Sequence, residues 1–275
     1  MKVLIVGCGR LGSHVARRLI ADGHQVTGLR RSGRALPAGV TPMRGDAADA
    51  GTLRFPAPFD ACIYAASADG RSDEAYERAY PTGVRHVLAA LAESGAATGR
   101  FLFVSSTAVY GQDDGAWVDE DSETDPTAFN GRRMLEAEAA AAAGGWESCA
   151  LRLAGIYGPD RATLLDRIRS GSALESGPED RWMNHIHETD AARAVVHALA
   201  LPSLPAQLCV ADERPTQRGE VLGWLAQRIG VTQARHADEP QGSGSAKRVS
   251  SARLRATGFE FRYPSFRDGY GEIIS

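Results

Sequence analysis

A chain of 275 residues, 43% hydrophobic and 24% charged, has enough apolar mass to bury a full core as one large domain or one with a small appended region. The formal net charge of −3 gives no electrostatic case for nucleic acid or a membrane surface as partner. With no signal peptide, lipidation signal or apolar stretch of spanning length in the sequence, a cytoplasmic protein is expected. The four cysteines, Cys8, Cys62, Cys149 and Cys209, lie far apart and match no metal-ligand spacing, so buried reduced thiols and no metal are expected.

The chain opens on an apolar run, Lys2 to Val6, followed by Gly7-Cys8-Gly9-Arg10-Leu11-Gly12. A G-x-G-x-x-G loop between a strand and a helix is a dinucleotide-binding start. Gly7 allows the tight turn, Gly9 lets the backbone approach a pyrophosphate, and Gly12 lets a helix from Arg10 to Ala21 pack on the strand. The helix N-terminus, with Arg10 and Leu11, then faces the phosphates. A second strand, Gln25–Leu29, ends at Arg30-Arg31-Ser32-Gly33-Arg34, where an NAD site wants an acid for the ribose hydroxyls. Arginine forks and the Ser32 hydroxyl suit a 2′-phosphate, so NADP(H) is expected over NAD(H); a solvated basic loop is the competing reading.

Strands and helices keep alternating. A third strand runs from Val40 to Arg44 into Gly45-Asp46, and a fourth from Phe59 to Tyr64 ends at Ala65-Ala66-Ser67, small residues that leave room for a cofactor at a strand's carboxyl end. A long helix from about Ser72 to Ser94 follows, kinked or divided at Pro81. The apolar run Phe101–Val104 leads into Ser105-Ser106-Thr107-Ala108-Val109-Tyr110-Gly111, a helix spans about Thr127–Ala143, and a strand spans Cys149–Leu153. The fold expected is α/β, a Rossmann-type doubly wound parallel sheet with a small C-terminal substrate-binding region. The expected division is a core of 1–157, with 186–212 returning to it, and a substrate region of 158–185 and 213–275.

These motifs in this order resemble an extended short-chain dehydrogenase/reductase of the NAD-dependent epimerase/dehydratase type: the glycine loop, Gly45-Asp46, Ala65-Ala66, the Ser105–Gly111 run, Arg152 with Tyr157-Gly158-Pro159, and Ile186-His187-x-x-Asp190-Ala191-Ala192. The resemblance implies that Asp46 bonds the adenine edge, that Ala65, Ala66 and Ser67 line the cofactor, and that Ser106 holds the active-site Ser/Thr place. The glycine loop departs from the family's usual T-G-x-x-G-x-x-G, the mark of an atypical branch.

The larger departure is catalytic. Hydride-transferring members carry Tyr-x-x-x-Lys on the helix after the serine strand, the lysine lowering the tyrosine pKa and holding the nicotinamide ribose. Registering on Gly131 and Glu138 puts Asn130 and Met134 at those places; a one-residue shift gives Phe129 and Arg133. Both frames lack a phenol, and no lysine stands between Lys2 and Lys247. Asn130 and Arg133, three apart on a helix, could hold a ribose hydroxyl, or Arg133 could be a plain surface arginine. Ser106 could bond a substrate carbonyl or hydroxyl, though without a partner its pKa is too high for a base.

Beyond Pro159, a short helix is expected over Arg161–Arg169, a loop over Ser170–Trp182, a helix over Thr189–Ala200, a strand over Gln207–Val210 and a helix over Gly219–Ile229. His185 and His187 are expected to alternate faces, so that only one could point at a ligand. Asp238–Ser245 reads as a flexible loop and candidate lid. Three functions compete: an NADP(H)-dependent oxidoreductase or epimerase/dehydratase-like enzyme on a small molecule with a non-standard proton donor; a non-catalytic NADP(H)-binding or redox-sensing protein; and a nucleotide-sugar epimerase or dehydratase. A monomer or homodimer is expected.

Overall fold

The computed structural model describes residues 1–95, 99–161, 163–171, 180–231 and 247–275. The lid expected at Asp238–Ser245 lies outside the described residues, as does most of the loop between Ser170 and Trp182. The strands are β1 (Lys2–Val6), β2 (Gln25–Arg30), β3 (Thr41–Arg44), β4 (Ala61–Tyr64), β5 (Arg100–Ser106), β6 (Trp117–Val118), β7 (Glu147–Leu153), β8 (Gly155–Tyr157), β9 (Trp182–Met183), β10 (His185–His187), β11 (Gln207–Val210), β12 (Thr216–Gln217) and β13 (Arg248–Val249). The helices are α1 (Arg10–Ala21), α2 (Asp73–Glu77), α3 (Gly83–Glu93), α4 (Phe129–Ala142), α5 (Thr163–Arg169), α6 (Glu188–Ala200), α7 (Arg218–Arg228), α8 (Ala252–Ala256) and α9 (Phe266–Ile274). None is long and apolar enough, among the described residues, to cross a membrane.

Seven strands form one parallel sheet in the order β11-β7-β5-β4-β1-β2-β3. The burial along each strand follows from its place. Central β1 and β4 are continuous apolar runs, buried from Val3 to Val6 and from Ala61 to Tyr64, as a sheet covered on both faces requires. At the edge, β3 is largely exposed and contains Pro42, whose missing N–H is tolerable only there. From β1 the chain winds out to β2 and β3 in one direction and to β4, β5 and β7 in the other, so the glycine loop stands at the switch point where such sheets bind ligands.

The helix expected across Ser72–Ser94 is divided, and the physical cause is specific. Between α2 and α3 lies one π-helical turn, Arg78–Thr82, containing Pro81. Proline removes an N–H from the ladder, and the widened turn sends the Gly83 N–H to the Arg78 carbonyl. That frees the Ala79 carbonyl, which accepts a 2.5 Å bond from the Tyr64 hydroxyl at the end of β4. Gly83 makes room, since a Cβ there would lie 2.1 Å from that hydroxyl.

The chain divides into two compact units. The first comprises Met1–Tyr110, Thr124–Arg152 and Ala192–Leu208; the second comprises Gly111–Glu123, Leu153–Ala191 and Cys209–Ser275. The second has its own core, in which Tyr157, Leu165, Ile168, Val221, Leu225, Phe266 and Tyr270 are buried together. Its short strands pair as β8 with β10, β9 with β12 and β6 with β13. Asn184 ties two of these segments, donating to the Lys247 carbonyl at 2.9 Å and accepting from the Val249 N–H at 2.8 Å. The terminal helix α9, absent from the expected elements, opens on a capping box between Ser265 and Asp268.

Candidate functional site

The first unit contains the glycine loop. Gly7 has φ +78°, and a Cβ there would lie 2.3 Å from the Ala66 Cα, so this glycine is demanded by the loop after β4 pressing against it. The N–H groups of Gly7 and Cys8 both donate to the Leu29 carbonyl, at 3.0 and 3.1 Å, fixing the turn to β2. Gly12 is demanded by packing: its Cβ would meet the Gly7 carbonyl oxygen at 2.8 Å. Gly9 differs from both. A Cβ there would meet only the Gly7 carbonyl oxygen, at an ordinary 3.8 Å, so no neighbouring atom of the described protein fills that space. The first turn of α1, Arg10-Leu11-Gly12, has neither a side-chain cap nor an acidic residue. An open cradle at an uncapped helix N-terminus fits a dinucleotide pyrophosphate.

Around the loop stand the other residues expected at a cofactor. The Ala65 N–H donates to the Val6 carbonyl at 2.8 Å, which holds Ala65-Ala66-Ser67 against the glycine turn. Asp46 accepts from the Ala48 N–H at 2.9 Å, while its own N–H donates to Thr52 Oγ1 at 2.8 Å. Arg30 folds onto its own loop, donating to the carbonyls of Arg34 (3.4 Å) and Ala35 (3.3 Å). The Arg31 fork donates to both carboxylate oxygens of Asp69 and lies 3.9 Å from Asp46. Ser32 is exposed beside it.

On β5, Ser105 and Ser106 alternate as strand neighbours must. Ser105 is buried and donates to Glu138 Oε1 at 2.5 Å. Ser106 Oγ accepts from the Ala108 N–H at 3.1 Å and so caps the 3-10 turn Thr107–Val109. The first turn of α4 is seated on that turn: a Cβ on Gly131 would lie 2.3 Å from the Ala108 carbonyl oxygen. Asn130, the second residue of α4 and the neighbour of Gly131, therefore lies in the helical turn seated there, and Met134, one turn on, is buried. Arg133 is bound to acids, its Nε and Nη2 to Asp73 (2.7 and 3.1 Å) and its Nη1 to Glu136 (2.9 Å).

Beneath these groups lies a network that sequence reasoning treated only as landmarks. Arg152 on β7 donates to both oxygens of Glu138 (2.8 and 3.1 Å) and to the Tyr110 hydroxyl (2.9 Å), and Glu138 also receives Ser105. A buried arginine beside a partly buried carboxylate is tolerable because each finds several partners, and the result locks α4 to β5 and β7.

In the second unit the histidine expectation is corrected. His185 and His187 sit on one face of β10, because strand residues two apart share a face, and both rings stand edge-on to Tyr157 at 6.0 and 5.2 Å. His187 Nδ1 accepts from the Thr189 N–H at 3.2 Å. His185 is buried between Tyr157 and Phe266, and desolvation pulls its pKa down to about 4. Lys247 is buried too, and burial followed by the Arg181 charge pulls its ammonium down to about 8. Its sequence signal was rarity, since Lys2 is the only other lysine. No group of three or more metal-ligating side chains occurs among the described residues.

A family model described as the NAD dependent epimerase/dehydratase family matches residues 3–207. A solved structure from Methylobacillus flagellatus, whose naming as an NAD-dependent epimerase/dehydratase is itself provisional, is 35% identical with a TM-score of 0.81, covering 99% of this chain and 97% of that one. Protein YeeZ of Escherichia coli (strain K12) is 28% identical over 280 residues, 96% of each chain. MoeE5, solved in complex with UDP-glucose and NAD, is similar in fold, with a TM-score of 0.82 at 23% identity over 100% of this chain and 97% of that one.

Proposed function

The chain belongs to the NAD dependent epimerase/dehydratase family, and from that premise we propose that it is a pyridine-nucleotide-dependent enzyme acting on a small molecule without the family's tyrosine. The dinucleotide is held by the loop Gly7, Gly9, Arg10, Leu11 and Gly12, with Arg30, Arg31 and Ser32 toward the adenosine ribose, Asp46 at the adenine edge, and Ala65, Ala66 and Ser67 along its length. NADP(H) is favoured over NAD(H) on the charge of Arg30 and Arg31. When bound, the nicotinamide supplies hydride exchange.

The observation that carries the catalytic reading is the seating of α4 on the turn capped by Ser106, with Asn130 in its first turn and Met134 buried behind. The Ser106 hydroxyl is engaged as an acceptor, which leaves its proton to bond a substrate carbonyl or hydroxyl oxygen. Asn130 can donate and accept but carries no titratable proton, so it positions substrate or ribose while the proton comes from substrate or water. Arg133, bound to Asp73, holds the helix that presents Asn130.

The test is a screen of small carbonyl and imine compounds with NADPH, followed by Ser106→Ala on any compound turned over. Loss of one hydrogen bond made to the reacting group should lower kcat by about 10²-fold with NADPH affinity unchanged. Full activity in Ser106→Ala removes that residue from the mechanism. Tight NADPH binding with no turnover of any compound favours the second reading, a dinucleotide-binding protein without chemistry, whose support is the same Asn130 and Met134.

A further inference from the structure

Arg31 follows directly on β2, and Asp69 stands five residues beyond β4. Between those two strands in the sheet lies β1, whose carboxyl end carries the glycine loop. The ion pair of Arg31 with Asp69 therefore crosses β1 at the end where the dinucleotide is read to lie. Both side chains are open to water, at 49% and 67% exposure, so the pair is held by its own bonds and not by packing. Arg30 faces its own loop carbonyls, which leaves Arg31 as the guanidinium turned toward carboxylates.

We propose that Arg31 and Asp69 form a clasp across the glycine loop, and that Asp69 sets the ratio of NADP(H) to NAD(H) binding by competing with the 2′-phosphate for the Arg31 fork. The proposal rests on the dinucleotide reading of this site. A carboxylate and a phosphate present the same chemistry to a guanidinium, paired oxygens that take two parallel N–H bonds. A dinucleotide with a free 2′-hydroxyl leaves the clasp shut. One with a 2′-phosphate draws the fork away from Asp69 and leaves that carboxylate facing a second anion, with Asp46 a further acid 3.9 Å from Arg31. The Arg31 hydrogen bond holds the Asp69 carboxyl below the ordinary range, so the competitor stays ionised near neutral pH.

The experiment titrates the full chain with NADPH and with NADH, following nicotinamide fluorescence, for the unmutated protein, Asp69→Asn, Arg31→Ala and the double variant. Asp69→Asn should tighten NADPH about tenfold and NADH less than about twofold, and most of the gain should be lost when Arg31→Ala is added, leaving only relief of the repulsion between carboxylate and phosphate. An equal change for both dinucleotides, no change, or a gain that persists undiminished without Arg31 overturns the clasp while leaving the site intact. Failure of the unmutated chain to bind either dinucleotide saturably overturns the site reading, and the clasp with it.

Discussion

Gly7 and Gly9 stand two residues apart under opposite demands. Gly7 is fixed by the protein itself, with φ +78° and the Ala66 backbone 2.3 Å from any Cβ. Gly7→Ala should therefore cost roughly 2–4 kcal/mol of stability. Gly9 has φ −82°, outside the left-handed range, and open space where its Cβ would stand. Gly9→Ala should leave the unfolding free energy within about 1 kcal/mol of the parent yet weaken dinucleotide binding at least about tenfold. Denaturant unfolding and a nicotinamide fluorescence titration of both variants check this, and undiminished binding in Gly9→Ala would reduce the loop to a turn. The motif was legible because glycine spacing reports backbone geometry directly. Arg31 was legible as a cation, but its partner was not: Asp69 lies 38 residues away, and only the sheet order brings the two together.

At the scale of elements, Pro81 announced a divided helix, whereas the form of the division was settled by Tyr64 from another strand. The hydroxyl of Tyr64 satisfies the Ala79 carbonyl, and Gly83 admits it. Tyr64→Phe should cost about 1–2 kcal/mol for the carbonyl left without its donor. Gly83→Ala should cost more in the parent, because its methyl meets that oxygen at 2.1 Å, than in Tyr64→Phe, where the next atom is the Ala47 Cβ at 3.3 Å. A double-mutant cycle by denaturant unfolding should give a favourable coupling of about 1 kcal/mol or more. Additive costs would show that Gly83 is not there to admit the Tyr64 hydroxyl. Helix α9 shows the reverse case: its Ser265-x-x-Asp268 signature was in the sequence, but the glycines at 269 and 271 interrupt the apolar period. Gly269 is in fact a packing residue, since its Cβ would lie 2.1 Å from the Tyr157 hydroxyl.

For the molecule as a whole, His185 links stability to pH. Its folded pKa, about 4, lies below the ordinary 6.5, so the folded state keeps it neutral where the unfolded chain takes up a proton. The stability tied to that neutrality is complete above pH 6.5 and is lost as pH falls toward 4. Buried Asp212 acts in the opposite sense, because its carboxyl is raised by desolvation and holds a proton that the unfolded chain releases. The two partly offset each other, so the informative quantity is the difference between the parent and His185→Phe, a ring of similar size among Tyr157 and Phe266. Between pH 7 and pH 4.5 that difference should move by about 2 kcal/mol in the variant's favour. A constant difference in urea unfolding would show that His185 titrates alike in both states.

The sequence by itself determined the Rossmann-type sheet, the glycine loop and the absence of a Tyr-x-x-x-Lys pair, because strand apolarity, glycine spacing and residue identity are local properties of the chain. Tertiary structure decided which groups each polar side chain meets. The Glu138 to Arg152 network, the claim of Asp73 on Arg133 and the clasp between Arg31 and Asp69 each join segments distant in sequence. The common face of His185 and His187 follows from strand geometry alone, but its burial against Tyr157 does not. Partnership depends on strand order and on the short reach of hydrogen bonds, neither of which is written in any one segment.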